Sequence, residues 1–254
     1  MKRFALVLAT AVVAGSAFAA TTLPYSDDFE SYATNAELVT AAGDHQYDVN
    51  TITGLSTGQA NSGTQSVYNP HADATGARLS ISWPGVNATS VTQSVIVQWS
   101  QYDVNGAGPG ATGSATLNGR TGMSFGSYTG GAWAAGALNN YLYFGPDHAT
   151  SPSFYSTRVV NGVGSGWAVT TVPRTVGWQT FKMEIGTYYN DRLVRFFHNG
   201  NFVVQRDAAP YAEGWNCFRL GSTAGQGYMN TYFDDVSVAT VAPVPVTTSG
   251  IWID

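Results

Sequence analysis

The sequence predicts an all-β chain folded as two packed antiparallel sheets, and three observations predict it. Short runs of β-branched and aromatic residues recur along the whole 254-residue chain, the composition that suits a pleated, half-buried surface. Glycines, 29 of them, break these runs at close intervals, as turns between many short strands require. Helical periodicity is confined to a faint pattern at residues 35–42, too short to shape a fold. Charged residues make up 11% and aromatics 13%. Disorder demands the reverse balance, low hydrophobicity with high charge.

The strands follow in order. Residues 94–100 and 140–144 are β-branched and aromatic, and residues 180–185 alternate apolar and polar with period two. Residues 192–198 and 202–205 form two more runs, joined through Asn199, Gly200 and Asn201. Asn-Gly between such runs marks a hairpin, because both residues tolerate positive φ. Glycine-rich breaks at 106–113, 126–136 and 162–166 punctuate the rest. The lone Cys217 allows no intrachain disulfide and sits in a strand-like run, where a half-buried, unreactive thiol is expected.

The N-terminus has a different character. A basic head, Lys2 and Arg3, precedes an apolar stretch over 4–14 and a small-residue site ending at Ala19. That is the layout of a secretory signal peptide over 1–19, and the apolar stretch falls short of the ~20 residues of a spanning helix. One domain is expected over 20–241, with 242–254, opened by Pro243 and Pro245, a tail or linker. Without Lys2 and Arg3, nine Lys+Arg face 16 Asp+Glu, a formal charge of −7. An acidic chain without a basic run does not suit nucleic acid or anionic lipid.

Several segments together carry a family resemblance. Asp27, Asp28, Phe29, Glu30, Ser31 and Tyr32 open the mature chain, followed by the run 61–67. Later come Gly177-Trp178, the strand 180–185, the hairpin closing at Gly200, and a final acidic strand over 232–238. This order resembles the concanavalin A-like lectin/glucanase superfamily, and within it the laminin G-like jelly rolls of secreted bacterial surface proteins. The resemblance implies a two-sheet antiparallel jelly-roll β-sandwich whose opening strand pairs with its closing one. Asn199 stands where that pattern has Asp, and His198 where it has a core residue.

The paired strands would gather Asp27, Asp28, Glu30, Asp234 and Asp235. Such a cluster either turns its carboxylates to water or shares a cation, and a structural Ca2+ on Asp28, Glu30, Asp234 and Asp235 is the expected metal site. The superfamily's Glu-x-Asp-x-x-Glu catalytic string is absent, as are the arginine, histidine and tyrosine strings of jelly-roll alginate lyases, and the four histidines lack zinc spacing. No catalytic residue is therefore assigned.

Binding has better candidates. Flat aromatic rings stack on the apolar faces of sugars, and seven tryptophans are present. Trp99 and Trp178, within or leading strands, are expected in the core. Trp133 and Trp167, flanked by Gly and Ala, are expected in loops and available to a ligand. Strand alternation adds a second group. With Phe181, Val194 and Phe218 facing inward, Lys182, Glu184, Arg195, Phe197, Trp215 and Arg219 face outward, and neighbouring strands would place them on one ligand-binding surface. These features favour a secreted, non-catalytic carbohydrate-binding or adhesive module at the cell surface. Its partner would be a polysaccharide or cell-surface glycan, or another surface protein. The alternatives are a structural envelope or matrix protein, or a polysaccharide-active hydrolase or lyase.

Overall fold

The computed structural model describes residues 23–41, 46–47, 54–69, 78–82, 94–104, 121–127, 140–148, 150–160, 166–186, 193–207, 217–222 and 230–241. The expected signal segment, the tail, Trp133 and Trp215 lie outside them. Fifteen strands and one short helix make up the described chain: β1 (Tyr25–Asp27), α1 (Asn35–Ala41), β2 (Gln46–Tyr47), β3 (Gly54–Ser56), β4 (Ser66–Asn69), β5 (Arg78–Ser82), β6 (Ser94–Asp103), β7 (Thr121–Ser127), β8 (Asn140–Asp147), β9 (Ser151–Val160), β10 (Gly166–Pro173), β11 (Gly177–Ile185), β12 (Leu193–His198), β13 (Asn201–Asp207), β14 (Cys217–Ser222) and β15 (Thr231–Val241). They form two antiparallel sheets, a jelly-roll sandwich, as the sequence predicts.

The first sheet runs β13-β12-β11-β6-β15-β4-β3. β6 covers one side of β15, while β4 pairs with Thr231–Phe233 and β1 with Val236–Val238. The opening and closing strands are therefore neighbours, Asp27 opposite Val236. The second sheet runs β10-β9-β8-β7-β14-β5-β2.

Alternation along the strands builds the core between the sheets. Val95, Val97 and Trp99 of β6, Phe181, Met183 and Ile185 of β11, and Val194 and Phe196 of β12 point inward and are buried. They meet Met123, Phe125, Leu142, Phe144, Phe218 and Leu220 from the second sheet. Trp99 stacks on Phe181 with centroids 5.5 Å apart, and Phe144 meets Phe181 edge-on at 4.9 Å. His198 faces inward and is half-buried, its ring 5.1 Å from Tyr155 and 5.3 Å from Phe181, and burial pushes its pKa down.

Local signals resolve as their chemistry requires. Asn199 (φ 47°) and Gly200 (φ 79°) form a two-residue turn between the paired residues His198 and Asn201, positive φ at both centres being the hairpin-matched geometry. The Asn199 carboxamide holds the turn to β11, its Oδ1 accepting from the Thr180 amide at 2.8 Å and its Nδ2 donating to Gln179 Oε1 at 3.0 Å. The short helix α1 has a reciprocal cap: Thr34 Oγ1 accepts from the Glu37 amide, and Glu37 Oε2 accepts from the Ala33 amide. Leu38 is fully buried and anchors it. Between the sheets, Arg174 beyond β10 donates through Nε and Nη2 to both oxygens of Asp103 on β6, each at 2.8 Å. Among the described residues, no helix is long and apolar enough to cross a membrane.

Candidate functional site

The acidic residues expected to share calcium do converge, on the seam where β1 and β4 meet β15. There β15 bulges, with Asp235 at φ 47°. Asp27 Oδ2 accepts from the hydroxyls of Tyr25 (2.9 Å) and Tyr32 (2.6 Å), and its Oδ1 from the Phe29 amide (2.7 Å). Glu30 Oε1 accepts from the Thr64 and Gln65 amides at 2.8 and 2.7 Å, and Oε2 from Thr64 Oγ1 at 2.9 Å. Asp234 Oδ2 accepts from the Asn61 and Ser62 amides at 2.8 and 3.1 Å, and Oδ1 from the Asp235 amide at 2.9 Å. Asp235 takes Asn61 Nδ2 and Ser62 Oγ, both at 2.6 Å. Residues 61–65 are thus the segment that Glu30, Asp234 and Asp235 grip.

That arrangement does not fit a cation shared by Glu30, Asp234 and Asp235, because their oxygens face N–H and O–H donors. Among the described residues no group of three or more His, Cys, Asp or Glu side chains is spaced to hold a metal. Asp28 is exposed, its Oδ1 accepting from the Glu30 amide at 3.1 Å. With Asp27 and Asp235 it lines an open cleft of about 340 Å³.

The seam has a definite pH dependence. Burial pushes Asp234 up from 3.8 to about 6, outweighing the amides that favour its charge. A raised folded-state value means the stability from this group is complete below the unfolded value and is lost as pH rises through about 6. The Gln65 and Thr64 amides hold Glu30 below 4.5, so its contribution is present above 4.5 and lost as pH falls through its lowered value. The expected outcome is greater stability at mildly acid than at neutral pH. Asp234→Asn flattens that slope. Urea melts across the range test this, and a slope unchanged in the variant refutes it.

The surface expected from alternation is present in part. β11 and β12 pair Lys182 with Phe197 and Glu184 with Arg195 on the outer face of the first sheet. Lys182 Nζ lies 2.6 Å from Glu184 Oε1 and 4.1 Å from the Phe197 ring centroid. Arg219 does not join them: β14 belongs to the second sheet, and Arg219 is buried there, 2% exposed. Alternation gave its direction correctly, away from the core, but alternation carries no information about which sheet a strand enters. Trp178 also departs from expectation. It is half-buried on the outer face, in a row with Tyr68, Tyr232 and Tyr102 across four strands, its ring 5.6 Å from that of Tyr102.

The outer face of the second sheet holds the more distinctive group. Trp167, expected in a loop, lies in the edge strand β10, where the alternating run after Gly166 continues the sheet. Register places Trp167 beside Arg158, Arg158 beside Tyr143, Tyr143 beside Ser124 and Ser124 beside Arg219, one row across five strands. The Trp167 and Tyr143 rings meet nearly perpendicular at 4.9 Å, and Tyr143 lies across the bare backbone of Gly122. The Arg158 guanidinium sits 5.0 Å from the Trp167 ring centroid and 5.2 Å from that of Tyr141, and its Nη1 donates to the Tyr141 hydroxyl. Ser124 Oγ, Ser156 Oγ and Arg158 Nε are buried with no hydrogen-bond partner among the described residues. Buried polar atoms normally have partners, and these three share one face of the sheet. Toward the β10 edge the face opens, with Val169 49% and Phe154 38% exposed.

No family model and no curated protein matches this chain. Among solved structures it is similar to the T. cruzi calreticulin globular domain, with a TM-score of 0.58 at 13% identity, over 86% of this chain and 88% of that one. It is also similar to a carbohydrate esterase from Shiga toxin-encoding bacteriophage phi24B, with a TM-score of 0.54 at 12% identity, over 80% of this chain and 92% of that one. At these identities the likeness shows the shared sandwich fold.

Proposed function

We propose that this chain is a secreted, non-catalytic carbohydrate-binding module whose polysaccharide or cell-surface glycan lies on the outer face of the second sheet. The observation that carries the reading is the Trp167, Tyr143 and Arg158 cluster beside the unpartnered hydroxyls of Ser124 and Ser156. A sugar presents an apolar ring face and a rim of hydroxyls. The cluster offers the matching pair: the half-buried Trp167 ring on the edge strand, and behind it the fully buried Tyr143, Ser124 and Ser156. A site built to bond hydroxyls discriminates strongly against analogues lacking them, because its own polar atoms are then left bare. Aromatic, hydroxyl and guanidinium groups hold a sugar; glycoside hydrolysis would need two carboxyl groups set ~5–9.5 Å apart across the scissile bond. The signal-like N-terminus supports delivery outside the cell.

Trp167→Ala tests the reading. Glycan-array screening of the mature protein identifies a ligand, and the variant then loses about ten-fold or more in affinity for it. Trp167 is half-buried on an edge strand, so its melting temperature falls by only a few degrees. Unchanged affinity in a folded variant refutes the placement.

A further inference from the structure

We propose that the saccharide held by the second sheet is acidic, its carboxylate received by Arg158; this rests on the carbohydrate-binding reading above. The chain has only 11 Lys+Arg against 16 Asp+Glu, and three of the described cations are bonded within it. Arg174 has both oxygens of Asp103, Lys182 has Glu184, and Arg206 Nη1 donates to the carbonyls of Thr157 and Gly166. Arg158 differs. Among the described residues no carboxylate pairs with it, although it is half-buried between two aromatic rings.

A guanidinium cannot discard its charge by losing a proton. The rings on either side favour the cation through their π-faces but accept little from its N–H groups. Nη1 is taken by Tyr141, while Nε is buried and unmatched. That leaves the Nε edge of a planar fork, the geometry that receives a carboxylate through two parallel bonds. A neutral hydroxyl would accept one bond and leave the charge uncompensated. Ser156, two residues earlier on the same face of β9, holds a buried orphan hydroxyl next along the strand, and Ser124 holds another two strands away, beyond Tyr143. A carboxylate next to ring hydroxyls is the chemistry of a uronate.

Titration calorimetry with oligogalacturonates and oligomannuronates, each beside its carboxyl-reduced neutral counterpart, tests the inference. The acidic member of a pair is expected to bind about ten-fold or more tightly, with a preference that shrinks as salt is added. Arg158→Gln brings the acidic ligand down to the affinity of its neutral twin, and Arg158→Lys, which keeps charge but loses the fork, falls between. Trp167→Ala weakens both members alike. Equal binding of acidic and neutral members by the unmodified protein overturns the inference and leaves the carbohydrate reading standing. So does Trp167-dependent binding confined to an unrelated neutral glycan. Failure to bind any glycan overturns both. Where Arg158→Gln melts early, Arg158→Lys and the salt series decide the question.

Discussion

Replacing Arg174 with methionine lowers the unfolding free energy by about 3–5 kcal/mol and the melting temperature by roughly 10 °C. Both partners of the Arg174–Asp103 pair are essentially out of solvent, with side-chain exposures of 0% and 1%. Two parallel bonds of 2.8 Å satisfy the carboxylate, and Arg174 Nη1 reaches the Pro152 carbonyl at 3.4 Å. Methionine fills much of the volume but takes from the buried Asp103 the guanidinium bonded to both its oxygens. The damage therefore comes from the survivor, not from the attraction lost. Converting Asp103 to leucine in the same protein removes that buried carboxylate, and the double variant recovers most of the stability. Urea melts of the single and double variants settle the matter. A single-variant loss below about 1 kcal/mol, the range of exposed pairs, would mean that the pair is hydrated after all.

Gly63→Ala is expected to cost about 2–4 kcal/mol. Gly63 has φ +61°, where a β-carbon is strained, and that carbon would stand 2.4 Å from Glu30 Cδ and 2.5 Å from its Oε1. Glu30 cannot swing aside freely, because three donors from Thr64 and Gln65 hold it. Relieving the clash breaks the bonds that fasten the loop to the first strand. Glu30→Ala alone loses those bonds. In the double variant the clash is already gone, so the two losses sum to less than their separate values, as coupled neighbours do. Strict additivity in denaturant melts would show that Glu30 and Gly63 act independently.

The strands that were legible in the sequence are those whose side chains alternate between core and water. β11 and β12 gave their inward residues directly, and Asn199-Gly200 gave the turn between them, because a positive-φ pair leaves a compositional mark. Arg219 shows the limit. Its direction was readable from Phe218 and Leu220, but its neighbours Ser124 and Ser80 lie far away in sequence, and no local pattern encodes that pairing. Trp167 shows another: its glycine-rich approach reads as loop, whereas pairing with β9 turns the residues beyond Gly166 into an edge strand. The acidic cluster is visible in the sequence, yet the pairing of Glu30, Asp234 and Asp235 with the amides and side chains of residues 61–65 joins segments far apart, and no local pattern encodes it. Arg158 carries no signal of its own, because a lone arginine in a β-branched run looks like any solvated charge until its row is assembled.

The placement of β15 bears on how the molecule comes to be folded at all. It is the last described strand in the chain, yet it stands inside the first sheet, touching β6 some 130 residues earlier and β1 some 200 residues earlier. Until Thr231–Val241 arrives, β1 has no partner among the described strands and β4 has only β3. A partly synthesised chain therefore cannot consolidate that half from its beginning, and the closing step is one of high contact order, which is intrinsically slow. The β1 and β4 end of the first sheet is therefore the part of the described sandwich that closes last.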